Sequence, residues 1–393
     1  MKQKLKLILF AAPLLMLSLQ SCSSNSIKQN LTNSSEENVS RYSYADTYQN
    51  RSEKEFYCYK SGEGKTMVLD YESMKTSSLC SKPNCKHRSD DCIAHRLDGK
   101  CPMFGENCAY YFKDDVPAII QDDEGKQILK LGSSLCRYDF QTCTEEKLTH
   151  VDASVSDNCY GWILLNNDII YFIENHYNCT YDDYGNLLNY GNTGGSMTLC
   201  SVRLSDLQVL ELCELYDTET LTRYYPLTPD SGEVYMEGLF DNKIYFNVCF
   251  VGQTNGNKMS EYRLYTTYYD LSDGTYHGTP DDYENIDYAG ITYCSEDYLV
   301  ICKEGQASVW KKGNQSPVVF GDERFSDKFH SMIISDDTMF CFGWAFDLNT
   351  KEGRKLNTLA GKDVVVRYGD SFIIADHGMQ SGFEKIPAEQ LLK

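Results

Sequence analysis

Several motifs that identify common enzyme classes are missing from this chain of 393 residues. There is no Gly-x-Ser-x-Gly nucleophile elbow, no phosphate-binding loop, no dinucleotide fingerprint and no His-Glu-x-x-His metal motif. The seven histidines are scattered along the chain. The sequence therefore gives no support for the common α/β serine hydrolases, nucleotide-binding enzymes or zinc hydrolases.

Basic residues are scarce, with 37 lysines and arginines against 57 acidic residues and a net charge of −20. Without residues 1–21, which hold three lysines and no acid, 34 basic and 57 acidic residues leave a charge of −23. Nucleic-acid binding needs basic patches that neutralise phosphates, so we expect no nucleic-acid partner. A high net charge keeps a protein soluble, and we expect a monomer.

Proline and helical periodicity are also scarce. The chain has only 9 prolines but 30 tyrosines and 17 phenylalanines, and aromatic and β-branched residues favour strands. Only residues 387–392 fit about one turn of helix. The sequence therefore predicts an all-β fold.

Two elements recur along this predicted β chain. One places a polar turn between two short strands, as in residues 264–275, 135–142 and 344–353, with weaker copies at 69–74 and 202–207. The other is a short apolar strand, in most copies preceded by a polar turn, and its seven copies are spaced about 53 residues apart, as expected for propeller blades. We predict a β-propeller of about seven blades, six to eight, over residues 42–393. The alternative is a pair of smaller β domains that divide near residue 220.

The repeat segments "DNKIYF" (241–246) and "YYDLSDGT" (268–275) and the stretch "LCSKPNCKH" (79–87) carry a resemblance to a known group. Over residues 42–380 the chain resembles the TolB-like and YWTD-like β-propeller lipoproteins of Gram-positive (Firmicutes) bacteria. The resemblance implies a propeller but no catalytic residue, because these proteins share an architecture and no common chemistry.

The N-terminal segment indicates export. Lys2, Lys4 and Lys6 precede an apolar stretch at 7–19, which is shorter than the roughly 20 residues of a membrane-spanning helix. Residues 19–22, Leu-Gln-Ser-Cys, resemble a bacterial lipobox. We therefore predict a signal peptide at 1–21, lipidation of Cys22, a flexible tether at 22–41 and a location on the outer face of the cytoplasmic membrane. An ordinary signal peptide with a chance cysteine is the alternative.

Cysteine is plentiful, with 17 residues in the chain. Exported proteins use cysteine pairs to staple loops, so we predict disulfides in a Cys-rich insertion at 77–108 and across two hairpins. The candidates are Cys80, Cys85, Cys92, Cys101, Cys108, the hairpin pair Cys136 and Cys143, and the hairpin pair Cys200 and Cys213. One alternative is a zinc site formed by Cys80, Cys85, His87 and Cys92, although its spacing matches no common zinc module. The other alternative is that these cysteines are free or catalytic thiols.

Function is less constrained than fold. The longest polar excursion, residues 174–197, is rich in tyrosine and glycine, and long loops on repeat scaffolds often carry binding surfaces. We predict a binding or protein-interaction module for an unidentified glycan, peptide or protein, with no catalytic residue and no cofactor assigned. The alternative is an extracytoplasmic glycan hydrolase or lyase that uses carboxylates at the propeller channel.

Overall fold

The structure is built almost entirely from β-strands, as the aromatic-rich composition predicts. The computed structural model describes residues 50–51, 56–61, 64–89, 91–97, 102–105, 107–155, 163–217, 228–253, 260–277, 289–303, 305–326, 332–377 and 381–392. Within these ranges no helix is long and apolar enough to cross a membrane. The predicted signal peptide, Cys22 and the tether lie outside the described residues.

Seven antiparallel sheets follow one another along the chain, and we call them blades 1 to 7. Blade 1 contains β1 (Asn50–Arg51), β2 (Phe56–Ser61), β3 (Lys65–Asp70) and β4 (Thr76–Ser78). Blade 2 contains β5 (Met103–Gly105), β6 (Cys108–Asp114), β9 (Ser133–Asp139) and β10 (Thr144–Val151), and a separate hairpin, β7 (Ala118–Gln121) and β8 (Gln127–Lys130), lies between β6 and β9. Blade 3 contains β11 (Ser154–Val155), β12 (Ile163–Asn166), β13 (Ile169–Tyr181), β14 (Leu187–Arg203) and β15 (Val209–Asp217).

The second half of the chain repeats this arrangement. Blade 4 contains β16 (Thr228–Phe240), β17 (Lys243–Gln253), β18 (Ser260–Asp270) and β19 (Thr275–His277). Blade 5 contains β20 (Ala289–Cys294), β21 (Tyr298–Lys303), β22 (Gln306–Lys311) and β23 (Val318–Gly321). Blade 6 contains β24 (Ile333–Ser335), β25 (Thr338–Cys341), β26 (Trp344–Asp347) and β27 (Gly353–Lys355), and blade 7 contains β28 (Lys362–Tyr368), β29 (Ser371–Asp376) and β30 (Glu384–Pro387). Short helices occur at α1 (Ile93–Arg96), α2 (Ala388–Leu391), and in 3₁₀ form at Glu323–Ser326 and Asn357–Leu359.

The seven blades close into a ring. Seven clusters of buried apolar residues each join two neighbouring blades, in the order 1–2, 2–3, 3–4, 4–5, 5–6, 6–7 and 7–1. The closing contact packs Leu69 and Tyr71 of blade 1 against Val365 and Ile373 of blade 7. The prediction of a β-propeller is confirmed, and the blade number is seven.

The local sequence explains the two recurring elements. Each of the seven predicted apolar strands falls in the second strand of its sheet in hydrogen-bonded order, which in blade 3 is β13. The turn before that strand in blade 4, Asp241-Asn242, has both residues at positive φ, which gives the twist that tight hairpins favour. The other element spans the third and fourth strands, where an aspartate such as Asp139 accepts hydrogen bonds from the turn's backbone amides.

These turns also define the two faces of the ring. In several blades, the residue after the third strand donates its backbone N–H to the turn between the first two strands, as in Leu271 N to Asn242 O at 3.0 Å. Both turns therefore lie on one face. The connections between second and third strands must emerge on the opposite face, which we call the hairpin face.

Candidate functional site

Four side chains with metal-ligating atoms meet between blades 1 and 2. The ligand atoms of Cys80, Cys85, His87 and Cys92 all lie within 4.8 Å of one another. His87 Nδ1 and Cys92 Sγ are 3.3 Å apart. Among the described residues, this is the one group of three or more Cys, His, Asp or Glu side chains with such geometry.

The backbone of the loop after blade 1 brings these residues together through tight turns. Asn84 and His87 both have positive φ, at 58° and 53°, which lets the chain reverse on either side of Cys85. The Cys85 N–H donates to Lys82 O at 3.3 Å, and the Cys92 N–H donates to Ser89 O at 2.9 Å. Cys92 then precedes α1, so the four side chains are brought together by a loop with little regular structure.

The cluster is part of the core between the blades. Cys80 and Cys92 are 5% and 0% exposed, and they pack with Leu79, Ile93 and other apolar residues against blade 2. Burial raises the pKa of Cys80 to about 12. Burial also raises the pKa of Cys85, but a hydrogen bond from the His87 backbone N–H and contacts with neighbouring thiols bring it below its ordinary value. Burial and nearby Lys65 lower the pKa of His87, which favours the neutral imidazole that binds metals.

The predicted disulfides are not formed in the structure. Each of the following is a free cysteine, while Cys101 lies outside the described residues: Cys80, Cys85, Cys92, Cys108, Cys136, Cys143, Cys200 and Cys213. Cys108 lies in β6 of blade 2 and is 2% exposed. The predicted insertion 77–108 thus runs into the first two strands of blade 2.

The register of the strands explains why the two predicted hairpin bridges are absent. Cys136 lies opposite Lys147, and Cys143 lies in the turn, so the two cysteines are not cross-strand neighbours. Cys213 lies opposite Leu199, next to Cys200 along the chain. Because successive residues of a strand face opposite sides, Cys200 packs in the cluster between blades 2 and 3 and Cys213 packs toward blade 4.

A second feature lies on the hairpin face. There, the β7–β8 hairpin of blade 2 contacts the extended end of the β13–β14 hairpin of blade 3. The Gln127 N–H donates to Gly185 O at 3.2 Å, and Lys126 Nζ lies 4.1 Å from the centroid of the Tyr181 ring. The predicted excursion at 174–197 therefore contains this second hairpin, which has a neighbour that the sequence did not predict.

The paired hairpins carry an unusual share of exposed apolar surface. Seven large apolar side chains are exposed among the described residues, and five of these belong to the two hairpins and the segment that enters them. The five are Val116, Ile119, Ile120, Tyr184 and Leu188. We call these five residues the hairpin surface. Val116 and Tyr184 are the most exposed, at 89% and 90%.

Acidic tips flank the hairpin surface. The two turns share the pattern Asp-Asp-x-Gly, at residues 122–125 and 182–185, with Gly125 and Gly185 at positive φ. Asp122 and Asp182 each accept backbone hydrogen bonds within their own turn. The shared pattern is a sequence signal for two similar hairpins that the search for blade repeats missed.

Two acids with raised pKa values, the half-buried Glu237 and the buried Glu174, were not identified from the sequence. Glu237 lies on β16 and accepts a hydrogen bond from Asn247 Nδ2 at 2.7 Å. Burial raises the pKa of Glu237 to about 8. In blade 3, burial raises the pKa of Glu174, and the negative charge of nearby Glu211 also raises it. His176 Nε2 lies 3.6 Å from Glu174 Oε2 and acts in the opposite direction.

Glu237 is placed by an irregularity in β16. Met236 pairs with Phe246 and Gly238 with Tyr245, so Glu237 is the extra residue of a β-bulge. Bulges re-aim a side chain and are enriched near functional sites. First strands of neighbouring blades contact one another, as β16 does with β20, which places Glu237 on the strand nearest the ring axis.

Comparison with known proteins gives only distant similarity. No protein-family model matches the chain, and no curated protein is significantly similar in sequence. Among solved structures, the chain is similar to the extracellular domain of a hybrid two-component system of B. thetaiotaomicron, with 13% identity, a TM-score of 0.41, and coverage of 86% of this chain and 39% of that one. The chain is also similar to the periplasmic gluconolactonase of Pseudomonas aeruginosa, with 10% identity, a TM-score of 0.37, and coverage of 88% of this chain and 95% of that one. Its similarity to the oligogalacturonate lyase of Vibrio parahaemolyticus has 10% identity, a TM-score of 0.37, and coverage of 89% of this chain and 91% of that one. These similarities are too low to indicate a shared ligand or reaction, and the propeller assignment rests on the seven sheets and their seven interfaces.

Proposed function

We propose that this protein is a lipid-anchored propeller on the outer face of a bacterial membrane that binds a protein partner through the hairpin surface. The observation that carries the proposal is the concentration of exposed apolar side chains on two paired hairpins of one face. Clustered apolar exposure with a polar surround is typical of interaction sites, whereas single exposed apolar residues are ordinary. The resemblance to Firmicutes propeller lipoproteins is consistent with this role.

The chemistry of the surface indicates the kind of partner. Its exposed side chains are mostly aliphatic, and aliphatic groups bury well against apolar protein side chains. The acidic tips, including Asp123 and Asp183, favour basic residues beside those apolar side chains. We therefore expect a partner segment with apolar residues flanked by lysine or arginine.

The edge of β7 suggests how such a segment could bind. All four residues of β7 are exposed, and its pairing among the described residues is with β8 alone. An extended peptide can add a strand to an open sheet edge, where main-chain hydrogen bonds supply affinity and alternate side chains supply specificity. Ile119 and Ile120 point to opposite faces of this strand, so one face would meet the added segment's side chains.

The surface can be tested with Ile119→Lys and Leu188→Lys in the full chain, with Val319→Lys as the control. Val319 is also exposed, but it lies on the outer strand of blade 5. Crosslinking on intact cells should recover one partner with the wild type and the control, and recovery should fall about tenfold or more with either hairpin variant. Equal recovery with all four proteins would contradict the proposal.

The anchor has a separate test. If Cys22 is lipidated, Cys22→Ala should move the protein from the membrane fraction to the soluble fraction, because a covalent lipid chain supplies much of the membrane affinity. Retention of the variant in the membrane fraction would contradict lipid anchoring while leaving the hairpin surface unaffected.

One observation supports the alternative, a glycan-active hydrolase or lyase. Glu174 has a raised pKa and lies near other acids, and a protonated carboxyl beside a carboxylate is the usual arrangement for acid/base work on sugars. Release of sugar fragments from cell-wall or plant polysaccharides by the wild type, abolished in Glu174→Gln, would favour the enzyme over the binding module.

A further inference from the structure

A second kind of site lies away from the hairpin surface, in the core between blades 1 and 2. We propose that Cys80, Cys85, His87 and Cys92 bind one structural zinc ion that fixes the loop between these blades. The expected export of the protein favoured disulfides, but the structure leaves these thiols free and brings the imidazole among them. The proposal is independent of the proposed binding function.

The distances suit a single metal ion. In a tetrahedral site with Zn–S bonds of about 2.3 Å, neighbouring ligand atoms are about 3.8 Å apart. The four ligand atoms here lie within 4.8 Å of one another, and one pair, His87 Nδ1 and Cys92 Sγ, is 3.3 Å apart. Sub-ångström movements of side chains would therefore complete the tetrahedron.

The composition of the set decides between zinc and a disulfide. A disulfide would join two of the three thiols and leave the third thiol and the half-buried His87 imidazole without a common partner. Three thiolates and one neutral imidazole instead fill the coordination sphere of a zinc ion. Because four protein ligands leave no open position for water or substrate, the site is structural rather than catalytic.

The position of the cluster explains what the metal would do. The loop at 79–97 contributes Leu79, Ile93, Ala94 and Leu97 to the interface between blades 1 and 2, and Cys80 and Cys92 lie in the same cluster. Apart from these residues the loop is polar, and a polar loop of this length is poorly ordered by packing alone. Metal binding would supply the missing free energy and hold the apolar residues in the interface.

The test uses the full chain, purified anaerobically without chelator or added reductant. Zinc is measured by elemental mass spectrometry. We expect about one zinc per chain, and we expect cobalt exchange to give the absorption of a tetrahedral thiolate site. Cys85→Ser and His87→Gln should each lower zinc affinity by about tenfold or more. Cys143→Ser, a partly buried thiol that packs beside the cluster but is not in the ligand set, should bind zinc as the wild type does.

Two results would overturn the proposal. One is a metal-free chain that takes up no added zinc and whose intact mass shows a disulfide among Cys80, Cys85 and Cys92. The other is equal zinc content in the wild type, Cys85→Ser and His87→Gln. Circular dichroism of each variant separates loss of the metal from loss of the fold, and His87→Gln removes a ligand while keeping every thiol.

Discussion

Glu237 offers a direct test of the energetics of the propeller core. Its side chain lies in the bulge of β16 and accepts a hydrogen bond from Asn247, whose amide also bonds both backbone groups of Ile291 in blade 5. Glu237→Gln keeps an oxygen acceptor of the same size and removes the ionisable group. The substitution therefore isolates the free energy of ionising this carboxyl within the interface between blades 4 and 5.

The magnitude follows from the raised pKa. A rise from the ordinary value of 4.5 to about 8 corresponds to about 5 kcal/mol of extra free energy for ionisation in the folded state. This is an upper limit because the surroundings relax around the charge, so we expect a penalty of about 2–4 kcal/mol. Since the folded state holds the proton more tightly than the unfolded state, the penalty is absent below pH 4.5, grows as the pH rises, and is complete above pH 8.

The assay is thermal or urea unfolding of the wild type and Glu237→Gln at pH 5 and pH 8.5. Unfolding entropy of about 2 cal/mol/K per residue over about 340 residues means that 3 kcal/mol shifts Tm by about 4 °C. We expect the variant to exceed the wild type by about this amount at pH 8.5 and by less than about 1 kcal/mol at pH 5. Glu352→Gln, on an exposed turn of blade 6, should change stability by less than about 0.5 kcal/mol at both pH values. A difference between wild type and Glu237→Gln that is the same at both pH values would refute the reasoning.

Two further predictions concern packing and turns. Phe372 is 1% exposed, and its ring centroid lies 5.0 Å from that of Phe340, so it joins blades 6 and 7. Phe372→Ala should therefore lower the free energy of unfolding, measured by urea titration, by about 3–5 kcal/mol. A loss below about 1 kcal/mol would contradict this packing role. Asp139 accepts hydrogen bonds from Gln141 N and Thr142 N, which hold its pKa below the ordinary value of 3.8. Asp139→Ala should therefore cost about 1 kcal/mol at pH 7, and this difference should shrink as the pH falls below 3.8, where the wild-type carboxylate becomes protonated. An unfolding difference that persists in acid would show that the turn depends on something other than the charge.

The repeated parts of the fold were accessible from sequence because they depend on local interactions. A polar turn followed by an apolar strand, or an aspartate before a short turn, carries its information within about ten residues. Asp241-Asn242 and the Asp270 turn form as predicted, since their positive φ values and side-chain hydrogen bonds are set by the residues themselves. Seven such copies predicted about seven blades, six to eight, and the structure gives the number as seven.

The cysteine chemistry was harder to predict because it depends on the path of the backbone. The spacing of Cys80, Cys85 and Cys92 matches no common zinc module, and only the positive φ values at Asn84 and His87 bring the ligands together. The two predicted hairpin disulfides are absent from the structure for a similar reason. Strand register, which a bulge can shift by one residue, decides whether Cys200 and Cys213 share a face.

The sequence by itself determined that the chain is all-β, that it repeats about seven times, and that its N-terminus resembles a lipoprotein signal. Local propensity and periodicity carry that information. Only the tertiary structure decided that blades 1 and 7 close the ring, that the hairpins of blades 2 and 3 pair, that a bulge places Glu237 beside Asn247, and that four potential zinc ligands meet. Each of these depends on contacts between distant segments, whose geometry no local pattern encodes.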